Sequence, residues 1–328
     1  MGVGIGGRSH LFDLAADQRF DVAAVCASRQ DSADEAAAMF GVPASFTDAA
    51  DMLGSVPLDA VVVAVPPAAT PAVLGHCAAA GLPTLTDKPA ASDAASLDRL
   101  IAALGPKGNR FTVAYNRRYQ RHVAYARDRV AAGPDAVEEV VCEWSAPFAA
   151  RYAAGAGTYR TACGFGDGVI LDTATHIFDT LAFLGLCDLR VQRARLWPGP
   201  TGADVSAHLL LRQARTHVEI RIRDGGEDDA WKLTLRARWG SLALTADGLT
   251  GSVDGRQVSV DGTYDHRPVE DLLPAGDPRP DRSRLRGATL AEAAAALRLV
   301  DQARGEAELS RVWRRPRAKA LGRLNGSC

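Results

Sequence analysis

The side chains best suited to moving protons in this 328-residue chain stand in two places. The first is Asp87-Lys88-Pro89, at the end of the short apolar run Leu82 to Thr86 and just before a helical pattern that opens near Ser92. Lysine occurs only at positions 88, 107, 232 and 319, in a chain that otherwise takes its positive charge from arginine. A guanidinium cannot release its proton in a protein, whereas a desolvated ammonium can. Taken alone, a lysine after a strand reads as a surface residue with its stem laid along the protein. Asp87 reads either as a partner for that ammonium or as an exposed turn acid.

The second place is the stretch Gly164 to Asp179, a glycine-rich loop followed by a helical pattern carrying Asp172 and His176. Four residues apart on one helix, the two share a face, with Asp179 one turn further on. Such a pair can work as an acid/base unit, the carboxylate orienting the imidazole and stabilising its cation. It could also ligate a metal, but no third ligand follows at a recognisable spacing. In isolation it reads as an N-capping Asp beside a packed His.

The elements that would carry these groups alternate in period. Apolar runs at Val3 to Ile5, Val22 to Cys26, Ala60 to Val65, Leu82 to Thr86 and Phe111 to Ala114 are separated by helix-patterned segments, among them Pro71 to Ala80. This alternation predicts a parallel sheet covered on both faces, a doubly wound Rossmann domain over residues 1–115. Lys88 then stands at a carboxyl-terminal strand end, where such sheets bind ligands. The turn Gly2-Val3-Gly4-Ile5-Gly6-Gly7-Arg8-Ser9 allows two glycine frames, Gly2/Gly4/Gly7 or Gly4/Gly6 with Ser9 in the third place. Either brings backbone close to a pyrophosphate at a helix N-terminus, which makes Gly4, Gly6, Gly7, Arg8 and Ser9 candidate cofactor contacts. Only Met1 to Val3 precede that turn, so the first strand is short and the natural start is expected upstream. At the end of the second strand Cys26-Ala27-Ser28-Arg29 offers a hydroxyl and a guanidinium, with no acid before Asp31. That pair suits a ribose 2'-phosphate, so NADP is preferred and NAD possible, with Ser28 and Arg29 as contacts. As a lone residue, Arg29 reads equally as a solvated helix start. Val65-Pro66-Pro67 ends the next strand and turns the chain across the crevice, adding Pro66 to Asp87 and Lys88 in the cofactor set.

Residues 116–328 read differently. Runs at 137–144, 191–197, 207–212, 217–222, 231–236 and 241–246 predict an open, mostly antiparallel sheet, which with the helices around it makes a second, α/β domain. A helix should follow Tyr115-Asn116-Arg117-Arg118-Tyr119 and close at Gly133-Pro134. Residues 277–286 read as a loop and 289–303 as a core helix, and the basic tail 311–323 as a solvated terminus. With 47% hydrophobic and 23% charged residues and a net charge of -1, the chain is globular, and nothing global draws it to nucleic acid or an anionic membrane. The six cysteines are scattered without metal-ligand spacing, which fits a reduced, cytoplasmic setting.

Taken together, the glycine turn, a strand-end D-K-P where E-K-P is usual, N-R-R-Y after the last strand of the first domain, and Y-R followed by a glycine loop and D-x-x-x-H-x-x-D resemble the glucose-fructose oxidoreductase / inositol dehydrogenase / MocA family. The resemblance covers nearly the whole chain. It implies a Rossmann domain and an α/β domain whose open sheet mediates homo-oligomerisation, and NAD(P)-dependent hydride transfer at a carbon of a sugar, cyclitol or related alcohol. It further implies that Lys88 is the active-site lysine, Asp172 a substrate-orienting carboxylate and His176 the acid/base, with Asn116, Arg118 and Arg160 against substrate. Thr70 departs from the His the family often carries after the strand-ending prolines. Relatives that use the cofactor transiently to cleave glycosides, or that bind dinucleotide as non-catalytic regulators, give the alternative functions.

Overall fold

The computed structural model describes residues 1–133, 136–154, 160, 163–273 and 287–312. Pro134, Tyr159, the expected loop 277–286 and the basic tail beyond residue 312 lie outside the described residues.

The first half runs α1 (Ile5–Ala15), β1 (Val25–Cys26), α2 (Gln30–Phe40), β2 (Ser45–Phe46), α3 (Ala49–Ser55), β3 (Val61–Val63), α4 (Thr70–Ala79), β4 (Thr84–Asp87), α5 (Ala94–Leu104) and β5 (Phe111–Ala114). All pairing is parallel, in the orders β1-β2 and β3-β4-β5. The backbone of Met1 and Gly2 joins the two sheets: Gly2 N donates to Cys26 O at 2.7 Å, and Ala64 N to Met1 O at 2.8 Å. The run Val3 to Ile5 is not a strand. Glycines on both sides of Val3 leave no ladder to build, and Gly4 instead caps a helix that Ile5 begins. Asp48 and Asp93 cap α3 and α5 by accepting from Asp51 N and Ser96 N, at 2.9 and 2.7 Å.

The second half opens with a 3-10 turn (Asn116–Tyr119) and continues α6 (Arg121–Ala131), β6 (Val137–Ala146), α7 (Phe148–Ala154), α8 (Val169–Asp172), α9 (Ala174–Phe183), β7 (Arg190–Pro198), β8 (Asp204–Gln213), β9 (Thr216–Asp224), β10 (Ala230–Ala237), β11 (Gly240–Thr245), β12 (Gly248–Val253), β13 (Arg256–Asp261), a 3-10 turn (Pro268–Leu272) and α10 (Leu290–Val312). Strands β6 to β13 form one sheet in the order β13-β12-β11-β10-β6-β9-β8-β7, antiparallel except where β6 meets β9. Alternate residues such as Val140, Cys142, Leu209, Leu211, Leu233 and Leu235 are buried on its inner face and belong to the same apolar core as Leu74, Leu97 and Val113 of the first half. The six strands expected in this half are all present, as β6 to β11. β12 and β13 were not legible because Gly248-Leu-Thr-Gly-Ser-Val and Arg-Gln-Val-Ser-Val-Asp261 carry little apolar alternation. No helix among the described residues is long and apolar enough to cross a membrane.

The expected single helix across Asp172 and His176 is broken. α8 ends at Asp172 and α9 starts at Ala174, with Thr173 between them. What holds this segment is Asp204, fully buried at the start of β8. Its Oδ1 accepts from Gly166 N at 2.8 Å and Gly168 N at 3.0 Å, and its Oδ2 from Ile170 N at 2.8 Å. Gly168 lies so close to the Asp204 backbone that a side chain there would overlap it. Bonds to a buried carboxylate are among the stronger ones, and losing the acceptor leaves three N–H groups dry. Asp204→Ala should therefore destabilise the protein by about 3 kcal/mol in chemical denaturation, and a near-zero change would show that the loop is held from elsewhere.

Candidate active site

The glycine turn, the end of β4 and the end of α8 meet: Gly6 stands against the Asp87 carboxylate, and Lys88 reaches Asp172. On the glycine side, Gly2 adopts φ +84° and stands against the Ala64 carbonyl, where a side chain would overlap it. Gly7 is in the same position against Gly2 O, while Gly4 faces open space. Those are the demands of a tight turn, close helix–strand packing and an approachable backbone in the spacing Gly2-x-Gly4-x-x-Gly7. The alternative frame ending at Ser9 is not the one adopted: Gly6 abuts the Asp87 carboxylate, and Ser9 lies exposed in the second turn of α1. Arg8 is occupied, donating from Nη2 to Glu35 Oε1 at 2.9 Å and from Nε to Val3 O at 3.2 Å. No side chain caps α1, so the N–H groups of its first turn are left to a ligand, and the helix dipole favours an anion there.

Ser28 and Arg29 are exposed just past β1, and Arg29 Nη2 donates to Ser32 Oγ at 3.0 Å. Pro66 follows β3, and its carbonyl accepts from Thr70 N at 3.2 Å, while the Thr70 hydroxyl turns back onto the same carbonyl. Thr70 is thereby spent on starting α4.

Lys88 extends from the end of β4 to α8. Its Nζ donates to Asp172 O at 2.7 Å and to Asp172 Oδ1 at 2.9 Å, with both side chains only 13% exposed. The other carboxylate oxygen accepts from Arg160, Nε at 3.0 Å and Nη2 at 2.9 Å. Burial pushes Asp172 up, but the two cations outweigh it and hold the carboxyl below its ordinary value, so it stays ionised. Asp87 does not hold the ammonium: its Oδ1 accepts from the Lys88 backbone N at 2.9 Å.

The expected hydrogen-bonded Asp172–His176 pair does not form. The helix is interrupted at Thr173, and the Asp172 carboxylate is taken up by Lys88 and Arg160. His176 instead sits between two aromatic rings, Tyr115 with centroids 6.2 Å apart and edge-on, and Trp144 at 5.9 Å, and its Nδ1 is buried without a partner. Burial, then Lys88, Arg117 and Arg160, drive the imidazole well below its usual range. It is a neutral group able to accept a proton.

Two of the expected substrate contacts are placed otherwise. Arg118 is 1% exposed and clasps the buried Asp179 with bonds of 2.7, 2.9 and 3.0 Å, while its Nη1 donates to Glu292 at 3.2 Å. It is a bolt between the turn after β5, α9 and α10, facing no cleft. Arg160 reaches the site through Asp172. Asn116 remains on the exposed rim, donating to the Tyr264 hydroxyl at 3.3 Å. Sequence reasoning passed over Arg117, Trp144 and Trp231, whose signal is the register that pairs the two tryptophans across β6 and β10. Among the described residues no cluster of His, Cys, Asp and Glu could hold a metal ion.

Residues 1–115 match the model of the GFO_IDH_MocA family, described as oxidoreductases with an NAD-binding Rossmann fold. A comparison with curated protein sequences returns no match. The fold is shared with solved structures of low identity. An oxidoreductase from Agrobacterium radiobacter in complex with NAD+, L-tartaric acid and magnesium superposes with a TM-score of 0.75 at 17% identity, over 94% of this chain and 95% of that one. Myo-inositol 2-dehydrogenase from Lactobacillus plantarum gives 0.74 at 18%, over 94% and 96%. UDP-N-acetylglucosamine 3-dehydrogenase from Acidithiobacillus ferrooxidans gives 0.72 at 23%, over 94% and 96%.

The depressed imidazole has a consequence for stability. Between its folded value and the unfolded one near 6.5, the unfolded chain binds more protons, so stability rises with pH across that window and is lost as pH falls below about 6.5. His122, lowered by burial in the same direction, adds to the effect. The unfolding free energy in urea should rise less between about pH 5 and pH 7 in His176→Gln than in the natural protein. An equal difference in both would mean that His176 is not held neutral.

Proposed function

We propose, from the match of residues 1–115 to the model of the Gfo/Idh/MocA oxidoreductase family, that the chain is an NAD(P)-dependent dehydrogenase of a sugar, cyclitol or related alcohol. What supports this reading is that Lys88, at the end of a parallel strand beside the glycine turn, bonds Asp172 of the second half, with the His176 imidazole near enough to feel its charge. A non-catalytic sensor has no need of a proton path there.

The glycine turn fits a dinucleotide: Gly4 leaves open space for a pyrophosphate and the uncapped first turn of α1 supplies donors. The nicotinamide, once bound, supplies the hydride acceptor or donor at its ring carbon. Gly4, Gly6 and Gly7 line the pyrophosphate side, and Pro66, Asp87 and Lys88 the nicotinamide side. Ser28 and Arg29, with no acid beside them, favour the 2'-phosphate of NADP over NAD. In the oxidation direction His176 accepts the proton of the reacting hydroxyl, while Lys88, aimed by the Asp172 carboxylate and carbonyl, donates a hydrogen bond to the same oxygen and stabilises its developing negative charge. In reduction the proton returns by the same route. Residues 1–115 form the cofactor domain and 116–328 the substrate domain, with Asn116 at its rim. The charged outer face of the eight-stranded sheet is the surface for homo-oligomer assembly, and the protein is read as cytoplasmic.

Two measurements test this reading. Following reduced nicotinamide in the near ultraviolet against a panel of sugars and cyclitols should show net turnover; product without net redox change would point to transient use of the cofactor, and binding alone to a sensor. Lys88→Met should lose most of kcat while still binding NADP, and near-normal turnover would remove Lys88 from the chemistry. Separately, Arg29→Ala should weaken NADP binding roughly tenfold and leave NAD unchanged, since only the former presents a phosphate to it.

A further inference from the structure

Arg117 follows Asn116 in the turn after β5 and is 6% exposed. Its guanidinium carbon lies 4.3 Å from the centroid of Trp144 and 4.0 Å from that of Trp231, held between two indoles that are register partners on β6 and β10. Among the described residues no carboxylate forms an ion pair with it. The nearby Asp179 is taken by Arg118, and Asp229 by Arg151 and the indole N–H of Trp144. Burial lowers Arg117 to about 10, so it is still a cation at neutral pH. A buried charge without a counter-ion is destabilising, and the two indole faces offset that only in part. The arrangement is costly for folding alone.

Trp144 links Arg117 to His176: the guanidinium carbon lies 4.3 Å from the indole centroid and the imidazole centroid 5.9 Å from it, and Tyr115 packs edge-on against the imidazole. Asp172, the residue that would ordinarily orient a histidine, is committed to Lys88 and Arg160. We propose that Arg117 is a positioning residue: gripped by Trp144 and Trp231, it braces the indole that orients His176 and biases the imidazole toward its neutral, proton-accepting form. The inference rests on the reading of His176 as the proton carrier. The charged and titratable groups around the imidazole are Lys88 from the end of β4, Arg160, Asp172 from α8 with its carboxylate engaged by both, Asp179 on α9 itself, clasped by Arg118, and Tyr115, whose burial raises its phenol and keeps it protonated. Of the three cations, Arg117 is the one that no carboxylate pairs among the described residues.

The test separates charge from packing. In the full chain without cofactor, the His176 imidazole is titrated by NMR, its signal identified by loss in His176→Gln. Arg117→Met, which keeps the stem and removes the charge, should raise the midpoint by about one pH unit, as expected for a unit charge within about 10 Å at the effective dielectric of a protein. Arg117→Lys should stay near the natural value. The acid limb of kcat/KM should move with the midpoint. An unmoved midpoint in Arg117→Met overturns the inference. A midpoint that moves while the limb stands still supports the effect of the Arg117 charge on the imidazole and instead overturns His176 as the proton carrier. Trp231→Phe, which loosens the grip and leaves the charge, supplies the test of bracing should Arg117→Met not fold: kcat should fall several-fold with KM for substrate unchanged, and natural kcat would overturn that half of the proposal.

Discussion

The contact on which this architecture depends joins an ammonium to a carboxylate 84 residues away in sequence, Lys88 Nζ to Asp172 at 2.9 Å. A buried ion pair contributes little net stability, because desolvating both charges offsets their attraction. Its value is geometric: it requires the end of β4 and the end of α8 to lie within one side chain's reach. The scaffold is arranged to meet that requirement. α10 straps the two halves, with Arg304 donating to Gly166 O at 2.7 Å, Ser92 O at 2.8 Å and Asp167 at 2.9 Å, while Asp301 accepts from Ala94 N at the start of α5. The apolar core that runs unbroken through both halves supplies the stability the ion pair does not.

Electrostatics around Lys88 and His176 follow from which group holds which carboxylate. Asp172 serves two cations and none of its capacity reaches His176, so the imidazole is left with positive neighbours and an apolar, aromatic cage. Both conditions disfavour its charged form. The neighbouring Arg118–Asp179–Glu292 cluster uses similar residue types for a different end: with every partner satisfied and Arg118 and Asp179 shielded from solvent, it fixes α9 and α10 against the turn after β5. The two clusters are adjacent in sequence and separate in role. Arg117 and Arg118 differ by one position, yet one is clasped by acids and the other by indoles.

Much of the fold was legible from periodicity alone. Runs of four to six apolar residues between helical segments specified the parallel strands except β2, whose Ser45–Phe46 pair leaves no apolar run, and two-residue alternation specified most of the large sheet, because burial on one face or two imposes those periods on any sequence. β12 and β13 escaped because their pairing is carried by backbone bonds and a tight hairpin at Asp254-Gly255, which leave little apolar trace. Val3 to Ile5 misled because three residues between glycines look apolar without being long enough to pair. The Asp172/His176 spacing misled for a related reason: a four-residue interval makes a pair only if no distant group claims either member, and nothing in Leu171-Asp-Thr-Ala-Thr175 announces that Lys88, 84 residues away, takes the carboxylate.

By itself, then, the sequence determined which chemistry was on offer: a lysine at a strand end, a carboxylate and an imidazole near a glycine loop, and a glycine turn able to approach a phosphate. Those are properties of residue type and local order, and local order is what periodicity encodes. Only the tertiary structure decided the partnerships, giving Asp172 to Lys88 and Arg160, Arg118 to Asp179, and His176 to Tyr115 and Trp144. A hydrogen bond or ring contact is set by the packing of distant segments to within an ångström, and no spacing along the chain records that.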